Sequence, residues 1–402
     1  MYPRSSSTSS SSRRRPARLR AVAAICGWML LALVLIEIGL QLAFPMPADR
    51  REQPGVLAQY FFYGTSTPGK LAYMIGPTEA TSAEIIGAGW IDTTCRQPPP
   101  ASPPGRTGVT IYGMSFSNHV AAQLRMLDPS LAITTYAGPG APANHSYACY
   151  QMLRASGGDP NPVQIIGVLA SAVPRLLTLG GMTTSFEWPA PFTYPRYRLV
   201  NGRLESEQPI VRSPGDLKDA TKWRAYLDQL KTSDRFYNYG AMEAQWADRS
   251  IFLRLLRRAR AQAFEREQTA ALVNDGHRFL PNPEIGPVLA AMLVDFARTA
   301  RADGKLPIVI LFQDQGTGVD SLERLVGPAL RRNGVPTVLS REVAPNTDPR
   351  NFVADGHFTP AVDRRIAELV RDRIDAAAGT GGDGALPPRA APAPARYSAA
   401  GR

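Results

Sequence analysis

One short motif carries a serine that could act as a nucleophile. In Gly113-Met114-Ser115-Phe116-Ser117, Ser115 follows an apolar run and precedes a helical pattern. A serine at such a junction lies near a helix N-terminus, where free backbone N–H groups can stabilise the oxyanion formed when a hydroxyl attacks a carbonyl. The motif lacks the second glycine of G-x-S-x-G, so the nucleophile elbow of α/β-hydrolases does not fit.

A second motif, Asp355-Gly356-His357, carries a candidate general base. Residues two apart in an extended loop point the same way, so Asp355 can orient the imidazole of His357, which can then take a proton from a serine. The alternative is a helix-entry turn, with Thr359 as N-cap and Pro360 at the first helical position. A carboxylate beside one of only four histidines in the chain favours the catalytic interpretation.

A third motif is the glycine turn at residues 137–140. Its Gly138 and Gly140 could offer N–H groups to an oxyanion, and Asn144 could add a side-chain donor. Glycine turns at strand ends also occur for steric reasons alone. His119, one helical turn after the serine, is expected to serve in helix packing.

Five short apolar runs must position these motifs. They alternate with helical patterns and cover residues 109–113, 131–138, 163–171, 306–313 and 335–340. Near-continuous apolar strands separated by helices indicate a parallel sheet covered on both faces. We therefore expect an α/β domain over residues 105–378.

An insertion at about residues 174–249 interrupts this alternation. It contains a predicted hairpin with a two-residue turn at Asn201-Gly202. Its aromatic residues either stack on sugar rings in a substrate cleft or pack the insertion onto the domain: Trp188, Phe192, Tyr194 and Tyr197.

The N-terminal region predicts a membrane anchor. Residues 21–44 form an apolar run broken only by Glu37 and Gln41, and a helix of that length spans about 36 Å against a hydrocarbon core of about 30 Å. Arginines precede it, so residues 1–20 are expected to be a disordered cytoplasmic segment and the rest of the chain to be periplasmic or extracellular.

A cleaved signal peptide is the competing interpretation. Its apolar region is normally about 7–15 residues long, whereas the uninterrupted run at 21–36 has 16, and the sequence that follows is a poor cleavage site. Glu37 either marks a partner helix or snorkels at the outer interface. Residues 45–104 form a linker and lead-in segment, and residues 379–402 a disordered Gly/Pro/Ala-rich tail.

Composition excludes several classes of protein. The chain has 402 residues, 44% of them hydrophobic, which allows a sizeable core. Its net charge is +11, but residues 1–20 contribute +6 and residues 379–402 contribute +2, so +3 remains for the rest and nucleic-acid binding is not expected.

Three cysteines exclude a disulfide-rich scaffold. Cys95 and Cys149, outside the apolar run, either pair or stay as buried thiols. No spacing indicates a metal site, and no cofactor is expected.

The order and placement of the three motifs resemble the SGNH, or GDSL-type, hydrolases over about residues 105–378. The first block of that family, Gly-Asp-Ser, resembles residues 113–115, its second-block glycine resembles Gly138, and its last block resembles residues 355–357. Met114 stands where the family has aspartate. The Gly-x-Asn-Asp block is replaced by a sequence whose polar candidate is Ser171.

The resemblance implies a flavodoxin-like parallel sheet flanked by helices. It also implies Ser115 as nucleophile, His357 as base and Asp355 as its orienting carboxylate. The amides of Ser115 and Gly138 would then help to form the oxyanion hole.

These inferences predict a membrane-anchored serine esterase that removes O-acyl groups, such as acetyl, from an extracytoplasmic polysaccharide. One alternative is an O-acetyltransferase that acts on exopolysaccharide. It would need a membrane acyltransferase partner or a periplasmic donor, because one span cannot carry an acyl group across the bilayer. Another alternative is a non-catalytic module that binds a glycan or a protein partner.

Overall fold

A computed structural model of the chain describes residues 14–47, 52–75, 89–274 and 278–379. Of the segments predicted to be disordered, 1–20 and 379–402, residues 1–13 and 380–402 lie outside the described residues, whereas residues 14–20 and Gly379 belong to helices. The helices are α1 (Arg14–Ala43), α2 (Val56–Phe62), α3 (Thr67–Ile75), α4 (Ile91–Thr94), α5 (Ser115–Leu127), α6 (Ala143–Ala155), α7 (Ala220–Ser233), α8 (Tyr239–Met242), α9 (Ile251–Ala270), α10 (Gly286–Ala302), α11 (Ser321–Arg332) and α12 (Pro360–Gly379). The strands are β1 (Thr107–Gly113), β2 (Leu131–Ala137), β3 (Val163–Leu169), β4 (Arg196–Val200), β5 (Arg203–Glu207), β6 (Leu306–Phe312) and β7 (Thr337–Leu339).

Five parallel strands form the central sheet in the order β2-β1-β3-β6-β7. This is the flavodoxin-like order, so the predicted fold class is confirmed. The order reverses between β1 and β3. In sheets of this type, ligands bind in the crevice outside the carboxyl ends of the strands at that reversal. The motif at residues 113–117 follows β1 directly.

Helices cover both faces of the sheet because each presents an apolar stripe. On one face, α5 buries Val120 and Leu124 against Ile366 and Val370 of α12. These pairs are spaced by four residues and so lie on one side of each helix. Burying each such side chain stabilises the fold by roughly 1.5–3 kcal/mol relative to exposure. The helices α6 and α10 pack on the opposite face.

The chain between β3 and β6 adds the antiparallel hairpin β4–β5 and helices α7 to α10. The predicted hairpin is confirmed, with Asn201 (φ 52°) and Gly202 (φ 75°) as its two turn residues. Both have the positive φ that a two-residue type I′ turn requires, and asparagine and glycine tolerate it best.

The lead-in segment packs onto the domain through Trp90, which is wholly buried. Next to it, Cys95 and Cys149 form a disulfide that joins the end of α4 to α6. The pairing that the sequence left open is therefore present.

Within α1, residues Leu19–Ala43 are long and apolar enough to cross a membrane. Every residue from Leu19 to Ile36 is exposed to solvent in the isolated chain. Those properties suit a membrane span or a signal sequence, the two alternatives that the sequence posed.

Candidate active site

Ser115 is the first residue of helix α5. The backbone hydrogen bond from Asn118 N–H to the Met114 carbonyl (3.1 Å) opens the helical ladder, so the amides of residues 115–117 precede it. Such amides, at the positive end of the helix dipole, suit a negatively charged oxygen. Met114, the residue before Ser115, is 4% exposed and packs in the hydrophobic core.

Two glycines bring α5 close to the sheet. A Cβ at Gly113 would lie 2.0 Å from Ser117 Oγ, and one at Gly167 would lie 2.2 Å from the same atom. Real Cβ atoms do not approach so closely, so the wholly buried Ser117 fits between β1 and β3 only because both positions lack side chains. This packing fixes the position from which Ser115 projects.

His357 comes from the opposite end of the domain sequence and reaches Ser115. Its Nε2 lies 2.7 Å from Ser115 Oγ, a hydrogen bond between residues 242 positions apart. A tight turn holds the histidine: Val353 N–H donates to the His357 carbonyl (2.8 Å), and Gly356 has φ 85°, a conformation that favours glycine.

Asp355 lies on the far side of the imidazole. Its Oδ1 is 3.0 Å from His357 Nδ1 and accepts a hydrogen bond from the His357 backbone N–H at 3.1 Å. The approach to Nδ1 is not along the line of an ideal hydrogen bond. The backbone N–H, and then the ring, lower the pKa of Asp355, because both stabilise its charged form. A carboxylate there favours the tautomer with its proton on Nδ1, which leaves Nε2 free to accept the serine proton.

Two rings from α5 hold the imidazole in place. The ring centroids of Phe116 and His119 each lie 4.8 Å from that of His357. Residues three apart share a helix face, so both reach the same neighbour. Phe358 packs edge-on against Phe116 and extends this support into the core. Sequence reasoning missed Phe116; its only signal was its position directly after the candidate nucleophile.

His119 also contacts a second carboxylate, Asp363 of α12. Its Nδ1 lies 3.7 Å from Asp363 Oδ2, in agreement with the expected role in helix packing. Burial raises the pKa of Asp363 to about 7, and its Oδ1 has no hydrogen-bond partner among the described residues. Desolvation, and then the nearby His357, lower the pKa of His119. Both effects favour neutral forms of this pair.

The predicted oxyanion donors have other contacts. The Gly138 N–H donates to the Gly113 carbonyl at 3.3 Å, a long hydrogen bond that it would have to give up to bind an oxyanion. The Gly140 carbonyl accepts from Arg175 Nη1 at 2.5 Å, a contact that does not involve its N–H, the group predicted as the oxyanion donor. Asn144 is wholly buried and donates to the Pro195 carbonyl at 2.8 Å, so its side chain joins α6 to the chain before β4, and its expected contact with an oxyanion stays a prediction. The Ser115 amide, at the start of α5, keeps a position suited to an oxyanion.

Ser171 flanks the same crevice. It is exposed at the end of β3, the strand next to β1, and its backbone N–H donates to Asp314 Oδ1 at 3.1 Å. Burial raises the pKa of Asp314. Ser171, the polar candidate that the sequence offered after the third apolar run, is thus exposed beside the carboxyl end of the sheet.

The aromatic residues of the insertion differ in burial, and their stacking on sugar rings stays a prediction. Phe192 and Tyr194 are each 1% exposed and pack the insertion onto the domain. Tyr197 lies edge-on to Tyr147 and lines a cavity of about 1150 Å³ between α6, the hairpin and α10. Neither Ser115 nor His357 lines that cavity.

Comparisons with known proteins identify neither a family nor an activity for this chain. No protein-family model matches the sequence, and no curated protein matches it. Among solved structures, the chain is similar to a proposed lipolytic protein of the G-D-S-L family from Desulfitobacterium hafniense DCB-2. The match has a TM-score of 0.30 and 8% identity, and covers 67% of this chain and 99% of that one. A likeness at that level carries no argument about family or activity.

Proposed function

We propose that the protein is a serine esterase of SGNH type. One observation carries the proposal: Ser115 Oγ lies 2.7 Å from His357 Nε2, and Asp355 lies 3.0 Å from the other ring nitrogen, beyond the carboxyl end of β1. A hydroxyl, an imidazole and a carboxylate in this sequence of contacts form a nucleophile, a base and its orienting group. A non-catalytic scaffold would not need this alignment of three residues.

The reaction follows from those contacts. As Ser115 Oγ bonds to the ester carbonyl carbon, its proton passes to His357 Nε2, and the carbonyl oxygen becomes an oxyanion facing the first amides of α5. The bond to the leaving alcohol then breaks, and the alcohol takes the proton from His357. Water attacks the acyl-enzyme by the same route in reverse, releasing the carboxylic acid and free Ser115.

We further propose that α1 anchors the enzyme and that the catalytic domain lies outside the cytoplasm. The arginine-rich segment before the apolar run supports this orientation, and so does the Cys95–Cys149 disulfide, because such bonds persist in oxidising compartments. An O-acylated, and specifically O-acetylated, polysaccharide is the substrate class that fits an anchored esterase facing the cell exterior.

Acyl transfer to a polysaccharide is the second candidate. It uses the same acyl-enzyme, with a sugar hydroxyl replacing water. The Asp-x-His spacing of residues 355–357 favours it, since that spacing resembles some polysaccharide-acetylating relatives of the SGNH hydrolases. The acyl group would have to come from a periplasmic donor or a membrane acyltransferase partner.

The test uses the full chain in detergent with p-nitrophenyl acetate, beside Ser115→Ala and His357→Ala. Turnover should fall in both variants by about 10⁴-fold and persist in Ser206→Ala, a control in the exposed hairpin. An organophosphonate probe should label the wild type and leave Ser115→Ala unlabelled. Equal turnover and equal labelling in wild type and Ser115→Ala would overturn the proposal that the protein is a serine esterase.

A second assay separates the two reactions. With an O-acetylated polysaccharide, the esterase should release acetate in a Ser115-dependent manner. If labelling of Ser115 occurs but acetate appears only on an added sugar acceptor, the transferase is the activity.

A further inference from the structure

The C-terminal end of α1 is joined to the rest of the chain by a partly exposed cluster of hydrogen bonds centred on Glu37. Its carboxylate accepts from the backbone N–H groups of Ile251 (2.6 Å) and Phe252 (3.2 Å) and from Ser250 Oγ (3.0 Å). Gln41, one turn further along α1, donates to Glu37 (2.7 Å) and to the Arg249 carbonyl (3.0 Å). Glu37 therefore caps the N-terminus of α9, where a negative charge is stabilising and backbone amides lack intrahelical partners.

The same end of α1 presents one face to the domain. Glu37, Leu40 and Phe44 are partly buried, whereas most of their neighbours are exposed. These positions are spaced by three and four residues and lie on one side of the helix. Phe44 packs against Phe61 of α2, with ring centroids 6.0 Å apart. Contact with the domain thus begins at Glu37.

The apolar part of α1 before Glu37 determines where the helix would lie relative to a bilayer. The uninterrupted apolar run at residues 21–36 spans about 24 Å as a helix, and with Leu19 and Arg20 before it the length is about 27 Å, against roughly 30 Å for a hydrocarbon core. If α1 crosses the membrane with this segment, the polar boundary falls at Glu37. The domain elements that contact α1 there must then lie at the membrane surface.

Those elements expose large apolar side chains. We call the set the apolar rim, and it consists of Val56, Leu57 and Tyr60 of α2, Trp246 just before α9, and Phe252 and Leu256 of α9. Val56 is 84% and Trp246 66% exposed. The two helices that carry most of the rim pack on each other, and α9 packs on α1, so the rim adjoins the anchor. Tryptophan and tyrosine are the residues that favour membrane–water interfaces.

The exposed face of α9 is itself amphipathic. Phe252, Leu256, Ala259 and Ala263 are all exposed and recur at helical spacing, so they form a stripe along one side of the helix. The exposed Arg260 lies beside that stripe. An amphipathic helix with an exposed apolar stripe suits a position in the plane of a membrane interface.

We propose that the apolar rim is a membrane-contact surface, seated on the extracytoplasmic leaflet of the same bilayer that α1 spans, and that Glu37 locks the domain to the anchor in this pose. The proposal rests on the membrane anchor of the proposed function and is independent of esterase activity. The occupant is lipid because the rim continues directly from the apolar surface of α1. The same contact argues that α1 is retained, since cleavage after it would remove the cap of α9.

The experiment uses the full chain reconstituted in vesicles that contain brominated phosphatidylcholine, which quenches tryptophan at short range. A Trp28→Phe, Trp188→Phe background removes the tryptophan of the span itself and the exposed Trp188, whose ring packs against Tyr63 next to α2. Quenching should then come mostly from Trp246, and a further Trp246→Phe change should reduce the quenched fraction at least twofold. Trp223→Phe in the same background is the matched control, because Trp223 packs against a core cluster of the domain and is not part of the apolar rim.

Two variants test the role of Glu37. Glu37→Leu keeps the span apolar and removes every acceptor, so the Trp246-dependent quenching should fall and the Ile251 and Phe252 amides should exchange hydrogen about tenfold faster. Glu37→Gln keeps one acceptor oxygen, so its effect should be smaller.

The outcomes separate this proposal from the anchor. Release of the protein from membranes by alkaline carbonate would show that α1 does not anchor the protein, and it would overturn the membrane-contact surface as well. Retention in the membrane with no Trp246-dependent quenching would overturn the surface while the anchor stands. Quenching that is absent because the rim is covered by a second copy would show as a dimer by cross-linking and would equally overturn lipid as the occupant.

Discussion

Two histidine–carboxylate pairs lie side by side at the carboxyl edge of the sheet, and they contain the same residue types in opposite electrostatic states. His357 pairs with Asp355, whose side chain is 69% exposed and whose pKa is lowered by the backbone N–H and ring of His357. His119 pairs with Asp363, whose side chain is 5% exposed and whose pKa is raised to about 7 by burial.

The difference shows what turns such a pair into a catalytic device. Asp355 keeps its charge in solvent, accepts a hydrogen bond from the His357 backbone N–H and lies 3.0 Å from the ring Nδ1, so it can stabilise an imidazolium. Asp363 is buried without comparable contacts and favours its neutral form. His357 also has a hydroxyl at 2.7 Å on its free nitrogen. His119 instead packs its ring on that of His357.

The largest expected effect comes from removing each histidine in turn. His357→Ala removes the base, so kcat/KM for p-nitrophenyl acetate should fall by about 10⁴-fold. His119→Ala should lower it by no more than about tenfold, because only ring packing is lost. Similar losses in both variants would show that the two histidines act together as proton carriers. They would contradict the distinction between a catalytic pair and a packing pair.

Removing each carboxylate comes next in size. Asp355→Asn preserves shape but not charge, so kcat should fall by about 10²-fold, less than for a buried triad aspartate because solvent already screens Asp355. Asp363→Asn should leave kcat within about threefold of wild type. Steady-state kinetics of both variants at pH 7 tests this, and the reverse order would assign the orienting role to Asp363.

A smaller effect is expected from the ring packing around His357. Phe116→Ala should reduce kcat by about tenfold, because the imidazole loses one of its two flanking rings and some of its alignment. His119→Phe, which keeps a ring at the second position, should recover most of the activity lost in His119→Ala. If His119→Phe stays as impaired as His119→Ala, the imidazole of His119 contributes more than packing.

The smallest effect is on the pH dependence of stability. An aspartate whose pKa rises from about 3.9 unfolded to about 7 folded binds a proton more tightly in the native state. The free energy of unfolding therefore decreases as the pH rises from about 4 to about 7. Asp363→Asn should remove about 1 kcal/mol of this decrease. The figure is smaller than the full pKa shift would give, because the half-exposed His119 lies beside the carboxylate and solvent screens the pair. Thermal melts from pH 4.5 to 7.5 measure the difference, and parallel curves for the two proteins would contradict it.

Much of the fold could be read from the sequence because its signals are local. The apolar runs at 109–113, 131–138 and 163–171 predicted β1, β2 and β3, and Asn201-Gly202 predicted the hairpin turn. Strand identity depends on neighbouring side chains of the same run, and the turn depends on two backbone conformations. Helix α1 was equally evident from its unbroken apolar length.

Part of the candidate site could be predicted from the sequence in the same way. Ser115, Asp355 and His357 were nominated from residue type and local spacing, and the structure brings them into contact. Asn144 was nominated on the same kind of signal, but its amide is buried against the Pro195 carbonyl. A local pattern cannot tell which way a side chain on a helix faces once the sheet and insertion have packed around it.

The sequence by itself therefore determined the strands, the hairpin turn, the apolar helix and the residue types available for chemistry, because each follows from covalent neighbours and their periodicity. Only the tertiary structure decided the rest. It placed His357 on Ser115 across 242 residues, joined Cys95 to Cys149, gave the two aspartates opposite pKa shifts and set Glu37 on the first amides of α9. Hydrogen bonding, burial and desolvation act through space, and the groups they join are set by how the whole chain packs.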